Sequence, residues 1–286
     1  AGVAEIDITP PLGHRMAGYF DERRATGIHD PLKAKAFVLR QGNEQSALVF
    51  CDLVGISLNA SKKARAEASR QTGIPVTNIL ICATHTHTGP LFDDIRQKYA
   101  HDSAVAKLGH DPNETISYPD FLAEKIAKVV AEALSKAKPA QINFAIGQQT
   151  GLSFNRRYLM KDGKVKFNPG QLNPDIVKPA GPNDPDVGML LVNEGGKFVG
   201  GVTIFAMHAD TAGGTLYSAD YPFFLQQTLR KQLGENYVSG FAAGTCGDIN
   251  HIDVSTDRPQ PGRVETERIG GALAKTILPA LERLPV

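Results

Sequence analysis

Apolar and polar positions fall into the same succession of blocks twice along the chain. Two apolar runs, 36–39 and 47–51, flank the polar stretch RQGNEQS, which predicts a β-hairpin turning at Gly42-Asn43. Helical spacing over 61–71 stops at Gly73-Ile74-Pro75, and the apolar run 79–83 that follows predicts a strand. In the second succession, 187–192 and 198–207 flank NEGGK and predict another hairpin. A helix over 221–233 follows, with Ser218 and Asp220 as candidate N-caps and Gly234 as its stop, and then a strand over 237–243. The repeat lies in the pattern, since residue identity between the two copies is slight.

Further helices are predicted at 120–136 and 264–284. In the first, Phe121, Leu122, Ile126, Val129, Val130 and Leu134 recur at helical spacing and mark a core-facing stripe. The order of elements predicts an α/β fold of mixed β-sheets flanked by helices, in helix-sheet-sheet-helix layers, with two similar halves in a single domain over 1–286. Ligand sites in such folds gather at the carboxyl ends of strands.

Composition narrows the partners. With 31 basic and 30 acidic residues and no long basic run, the sequence offers no footprint for nucleic acid. The longest apolar runs fall far short of the roughly 20 residues of a membrane-spanning helix. Three cysteines, Cys51, Cys82 and Cys246, do not make a disulfide framework, and a Cys51–Cys82 bridge would require neighbouring strands. A start at Ala1 is as compatible with a mature exported protein, periplasmic or secreted, as with a trimmed one.

The chemistry concentrates at strand ends. His85 and His87 close the run ICATHTHTGP, and in extended backbone residues two apart face the same side. His208 in TIFAMHADT ends another apolar run, so three imidazoles from two strand ends could bind zinc and leave a position for water. Asp52, Asp210, Asp220 and Asp248 are the carboxylates at hand, each able to ligate, to orient a ligating histidine, or to cap a helix. Asp248 reads as a site residue and Asp220 as a cap or a proton carrier. His29 and His251 are further candidates, whereas His14, His101 and His110 read as solvated loop histidines. Arg156 or Arg157 could hold a substrate oxygen. No nucleophile elbow, P-loop or dinucleotide fingerprint is present, which leaves a metal-activated water as the simplest nucleophile.

The segments AEIDITPPLGHRMAGY, GIHDPLKAKAFVL, ATHTHTGP, SFNRR, FAMHADT and GTCGDIN occur in the order expected of the neutral ceramidase family, and the chain resembles its N-terminal catalytic domain from the first residues to about Asn250. That resemblance implies a zinc amidase that cleaves an N-acyl bond, with a following immunoglobulin-like domain that has no counterpart in this sequence. It implies that His85 and His208 are zinc ligands, His87 an active-site partner and Arg156 a substrate-facing arginine. Where the family carries Gly-Asp-Met-Ser-Pro, this chain reads Gly247-Asp248-Ile249-Asn250-His251, so Asn250 replaces a serine implicated in catalysis. The family's glutamate ligand finds only a loose match in Glu265, and its tyrosine ligand none, which leaves Asp248, Asp220, His87 or Glu265 to complete the shell.

The expectation is a zinc-dependent hydrolase of amide or ester bonds acting on a small N-acyl or ester substrate other than ceramide. In it His85, His208 and Asp248 hold the metal, His87 or Asp220 moves protons, and Arg156 or Asn250 stabilises the oxyanion. One alternative is a non-catalytic metal- or ligand-binding protein descended from such a hydrolase. Another is a metallo-β-lactamase-like hydrolase, but its H-x-H-x-D-H pattern would need Asp-His where Gly89-Pro90 stand.

Overall fold

The structure, a computed structural model, describes residues 1–92, 98–260 and 262–284, with the side chains of 98–100 left undescribed. Each half contributes a four-stranded sheet and helices that cover it. The first half runs β1 (Gly2–Asp7), β2 (Lys33–Gln41), β3 (Glu44–Cys51), α1 (Leu58–Thr72), β4 (Ile79–Ala83), α2 (Lys98–Leu108) and α3 (Tyr118–Ser135). The second runs β5 (Gln141–Gln148), β6 (Asp186–Glu194), β7 (Lys197–Phe205), α4 (Tyr221–Leu233), β8 (Val238–Ala242) and α5 (Arg263–Leu281).

The sheet orders are β1-β2-β3-β4 and β5-β6-β7-β8, the same topology twice. In both, a hairpin is followed by a helix and a strand parallel to the hairpin's second member, as the parallel pairs Ala47↔Ile79 and Gly200↔Val238 show. The repeated succession in the sequence is thus a structural repeat. Each half also recruits an antiparallel edge strand, β1 against β2 and β5 against β6. The six-residue β1 carried too little alternation to be expected as a strand, and β5 lies outside the repeated succession of blocks.

Alternation along the strands sends one set of side chains to each face. One face of the first sheet, with Ala34, Ala36, Val38, Val49 and Cys51, packs on α1 and α3. The α1 seam consists of Ala60, Ala64 and Ala68, small enough for close approach, while α3 contributes Leu122, Ile126, Val129 and Val130. The second sheet rests Val187, Met189, Leu191 and Phe205 against Leu225, Leu229, Ile269, Leu273 and Ile277 of α4 and α5. Between the sheets lie Phe37, Phe50, Val192, Val202 and Val238. Burying each of these side chains contributes about 1.5–3 kcal/mol, so the sheet-to-sheet seam fixes how the halves meet. The layers are helix, sheet, sheet, helix, as expected.

β3 and β4 are neighbours, yet Cys51 pairs with Ala83 and Phe50 with Cys82, so the two thiols point to opposite faces and remain free. No described helix is long and apolar enough to cross a membrane.

Candidate functional site

The strand 79–83 is found where it was expected, but the extended backbone that was to align the two histidines does not continue through them. β4 stops at Ala83, and His85 takes φ 68, a left-handed conformation that costs a non-glycine residue energy. It is held there by its N–H donating to Leu53 O at 2.9 Å. Thr86 then forms an isolated parallel bridge with Ala209, and the His87 N–H donates to Ala209 O at 3.0 Å. Thr86 and Ala209 are both fully buried. The bridge sets two triplets side by side, His-Thr-His and His-Ala-Asp. The rings of His85, His87 and His208 meet with centroids 4.6–5.4 Å apart, and Asp210 is an electrostatic neighbour of His87 and His208.

Buried hydroxyls lock this register. Thr86 Oγ1 and Thr88 Oγ1 donate to Ser218 O at 2.7 and 2.9 Å. Ser218 Oγ donates in turn to Asp30, which also accepts the Ala219 N–H at 2.6 Å. Segments more than a hundred residues apart are thereby fastened beneath the histidines.

His85, His87 and His208 bring one ring nitrogen each within 4.8 Å of the others. His85 Nδ1 lies 2.7 Å from Val54 O, and His208 Nδ1 lies 2.7 Å from Cys246 O and 3.0 Å from Ile249 O. Carbonyl oxygens only accept, so Nδ1 carries the hydrogen in both rings and Nε2 presents a lone pair. This is the arrangement that orients metal-binding imidazoles. Two nitrogens on tetrahedral zinc stand about 3.3 Å apart for bonds of about 2.0–2.1 Å, and His85 Nε2 lies 3.4 Å from His87 Nε2. Burial lowers the pKa of His87 to about 4 against the opposing pull of Asp210, and burial followed by the charge of Arg156 lowers that of His208. Both rings are neutral at pH 7, as ligation requires. The residues fit a nitrogen-binding dication.

Around the three rings stand groups that the sequence had not singled out. Tyr19 meets His87 edge-on, with ring centroids 5.5 Å apart, and the Arg23 guanidinium lies 4.2 Å over the Tyr19 ring. Arg23 Nη2 donates to His87 O at 2.7 Å and to Ala17 O at 2.5 Å, which straps residues 17–19 across the histidine. Loop residues of this kind leave no periodic trace; only the position of Tyr19 in a run with several glycines and prolines hinted at a tight loop. Asp210, noted among four carboxylates, lies with Oδ1 3.3 Å from His251 Nδ1, and among the described residues neither buried atom has a hydrogen bond of good geometry.

The other expected site residues take separate places. Arg156 lies at the rim, half-buried, its Nη2 donating to Gly247 O at 2.8 Å and its guanidinium 4.7 Å over Phe167. Asp248 Oδ2 accepts from Asn155 Nδ2 at 2.8 Å and stands outside the histidine group. Asn250 is buried, donating to Asn168 Oδ1 at 3.2 Å and accepting from the Ile252 N–H at 3.1 Å. Asp220 caps α4: its oxygens accept from the Ala212 and Tyr221 N–H groups at 2.7 Å each, and burial pushes its pKa up to about 7. Glu265 is gripped by the guanidinium forks of Arg258 and Arg268.

Two histidines depart from expectation. His14 is buried, with Nε2 3.1 Å from Leu91 O, because the loop that carries it folds under the Leu91 segment. His101 sits in α2 beside Asp111 and Glu114, a second acidic group whose carboxylates already receive the buried Arg15 guanidinium.

Residues 1–251 match the family model described as neutral/alkaline non-lysosomal ceramidase, N-terminal. The chain belongs to that family. Among its curated relatives, this family member is 23% identical over 262 residues to the neutral ceramidase of Pseudomonas aeruginosa and 24% identical over 261 residues to that of Mycobacterium tuberculosis. Those alignments cover 87% and 82% of this chain but only 36% and 37% of the relatives. The crystal structure of the Pseudomonas aeruginosa neutral ceramidase superimposes with a TM-score of 0.77 at 21% identity, over 99% of this chain and 44% of that one. A ceramidase complexed with C2 gives 0.75 at 20% identity, over 99% and 43%. The chain thus spans little more than a third of the curated relatives' length, and the structural likeness concerns the fold.

Proposed function

We propose that this ceramidase-family chain carries a zinc-dependent hydrolase centre for an N-acyl amide or related ester bond. The observation that supports the reading most is the group of three converging imidazoles, two of them with Nδ1 against a backbone carbonyl so that Nε2 is left for an ion. His85, His87 and His208 would hold the ion, a three-nitrogen set that leaves a fourth position open. Zinc, when bound, supplies Lewis acidity that polarises a carbonyl and brings the pKa of water to about 7.

Hydrolysis joins a water oxygen to the acyl carbon, breaks the carbon–nitrogen bond and delivers a proton to the departing amine. The permanent positive charge of Arg156 at the rim suits the carbonyl oxygen as it gains negative charge. Tyr19 and its Arg23 strap would hold the His87 ring and backbone in place. A lipid-like N-acyl amide is the substrate class that the names of the relatives suggest. A non-ceramide substrate remains part of the proposal, because Asn250 is tied to Asn168 and Ile252 where the family resemblance sets a serine.

The test is zinc content and turnover of a panel of N-acyl amides and esters, ceramide included, by the purified chain and by His208→Ala. Zinc and turnover lost together in the variant support the reading. Zinc bound by the parent chain with no turnover of any substrate would favour a metal-binding protein instead.

A further inference from the structure

We propose that Asp210, held by His251, is the charge-balancing carboxylate of this cation site and sets its metal affinity. The inference rests on the zinc reading above and adds a residue to it. The Thr86↔Ala209 bridge is the starting point, because it makes the site a two-by-two array. His85 and His87 flank Thr86, and His208 and Asp210 flank Ala209. Three of the four positions carry imidazole, and the fourth, on the His87 side of the array, carries a carboxylate.

Two further observations point the same way. Among the described residues, buried Asp210 Oδ1 has only the 3.3 Å contact with His251 Nδ1 and no hydrogen bond of good geometry, a costly condition unless a cation or an ordered polar group compensates it. Behind it, His251 is also buried, with Nδ1 3.3 Å from that same oxygen and no other partner. These two atoms face each other, in contrast to the oxygens of Asp220, which accept the Ala212 and Tyr221 N–H groups. Imidazole ligands supply no negative charge to offset a dication, and Asp210 is an electrostatic neighbour of both His87 and His208. Asp210 stays outside the group of ring nitrogens close enough to share one ion, so its place is beside the site and the open position is kept.

The role is that of a positioning residue, and zinc affinity measures it without reference to turnover. Competition with a chromophoric chelator would be run on the full chain, Asp210→Asn, Asp210→Glu and His251→Asn, with circular dichroism to confirm folding. Outer carboxylates of this kind typically alter metal affinity by 10–100-fold. The expected result is a loss of about that size in Asp210→Asn at unchanged stoichiometry, substantial recovery in Asp210→Glu, and a smaller loss in His251→Asn. Wild-type affinity in Asp210→Asn would overturn the proposal, as would equal losses in Asp210→Asn and Asp210→Glu, which would mark a role in packing alone. If Asp210→Asn does not fold, unchanged affinity in His251→Asn overturns it. Failure of the parent chain to bind zinc would instead remove the metal reading and this proposal with it.

Discussion

Replacing Gly18 by alanine tests whether the strap over His87 shapes the site. A Cβ built on Gly18 would lie 2.5 Å from His87 Cα and 2.6 Å from both His87 Cβ and His87 O. Carbon atoms in contact prefer about 3.5–4.0 Å, so the two segments must separate by about 1 Å. Arg23, which bonds to both Ala17 O and His87 O, resists that separation. The backbone adds a second cost, since Gly18 has φ +105, where an L side chain is strained by about 1–3 kcal/mol. Overpacking adds about 1–3 kcal/mol, for a total loss of about 2–6 kcal/mol. Gly13→Ala is the internal control: its φ is +87, but nothing lies within 4 Å of the added carbon, so it carries the backbone cost alone. Equilibrium urea unfolding of both variants, paired with zinc titration, separates the two costs. The prediction is a larger loss for Gly18→Ala and weakened zinc binding in that variant only. Equal stabilities together with parental zinc affinity in Gly18→Ala would refute the reasoning.

Two more expectations come from charge and burial. Burial raises the pKa of Glu265, but hydrogen bonds and charges from Arg268 and Arg258 outweigh it and hold the carboxyl near 2. A lowered carboxyl pKa contributes stability that is full above the unfolded value of 4.5 and disappears as pH falls toward 2, so Glu265→Gln should flatten the fall of the urea midpoint across that window, and an unchanged slope would count against the pairing. Cys51 is fully buried with its thiol pushed up by desolvation, whereas Cys82 and Cys246 are partly exposed, so a thiol reagent should reach Cys51 last, and only on unfolding, as peptide mapping would show.

The repeated hairpin, helix and strand were legible in the sequence because hydrophobic periodicity and glycine stops are local signals. The strand Ile79–Ala83 and the helix Tyr221–Leu233 are found where the pattern set them. The edge strand Gly2–Asp7 was not legible, because six residues of mixed burial become a strand only when Ala36 and its neighbours offer a ladder. At the site, the grouping of His85, His87 and His208 could be read, and their ring nitrogens do meet, but the register that brings them together could not. The extended backbone that was to align the first two is broken at His85, and their alignment comes from Thr86 meeting Ala209 across the halves. The same long-range register singles out Asp210 from four candidate carboxylates that look alike in one dimension. Asp220, read as a candidate cap, is one for a local reason: its neighbours in the chain supply the N–H groups that claim both oxygens.

The most direct test of the central claim is X-ray absorption at the zinc edge on the zinc-loaded chain, alongside His208→Ala. The account predicts a first shell of nitrogen and oxygen at about 2.0–2.1 Å with the outer scattering of three imidazoles, reduced in the variant. A sulfur shell at about 2.3 Å, or a spectrum that the loss of His208 leaves unchanged, would contradict it.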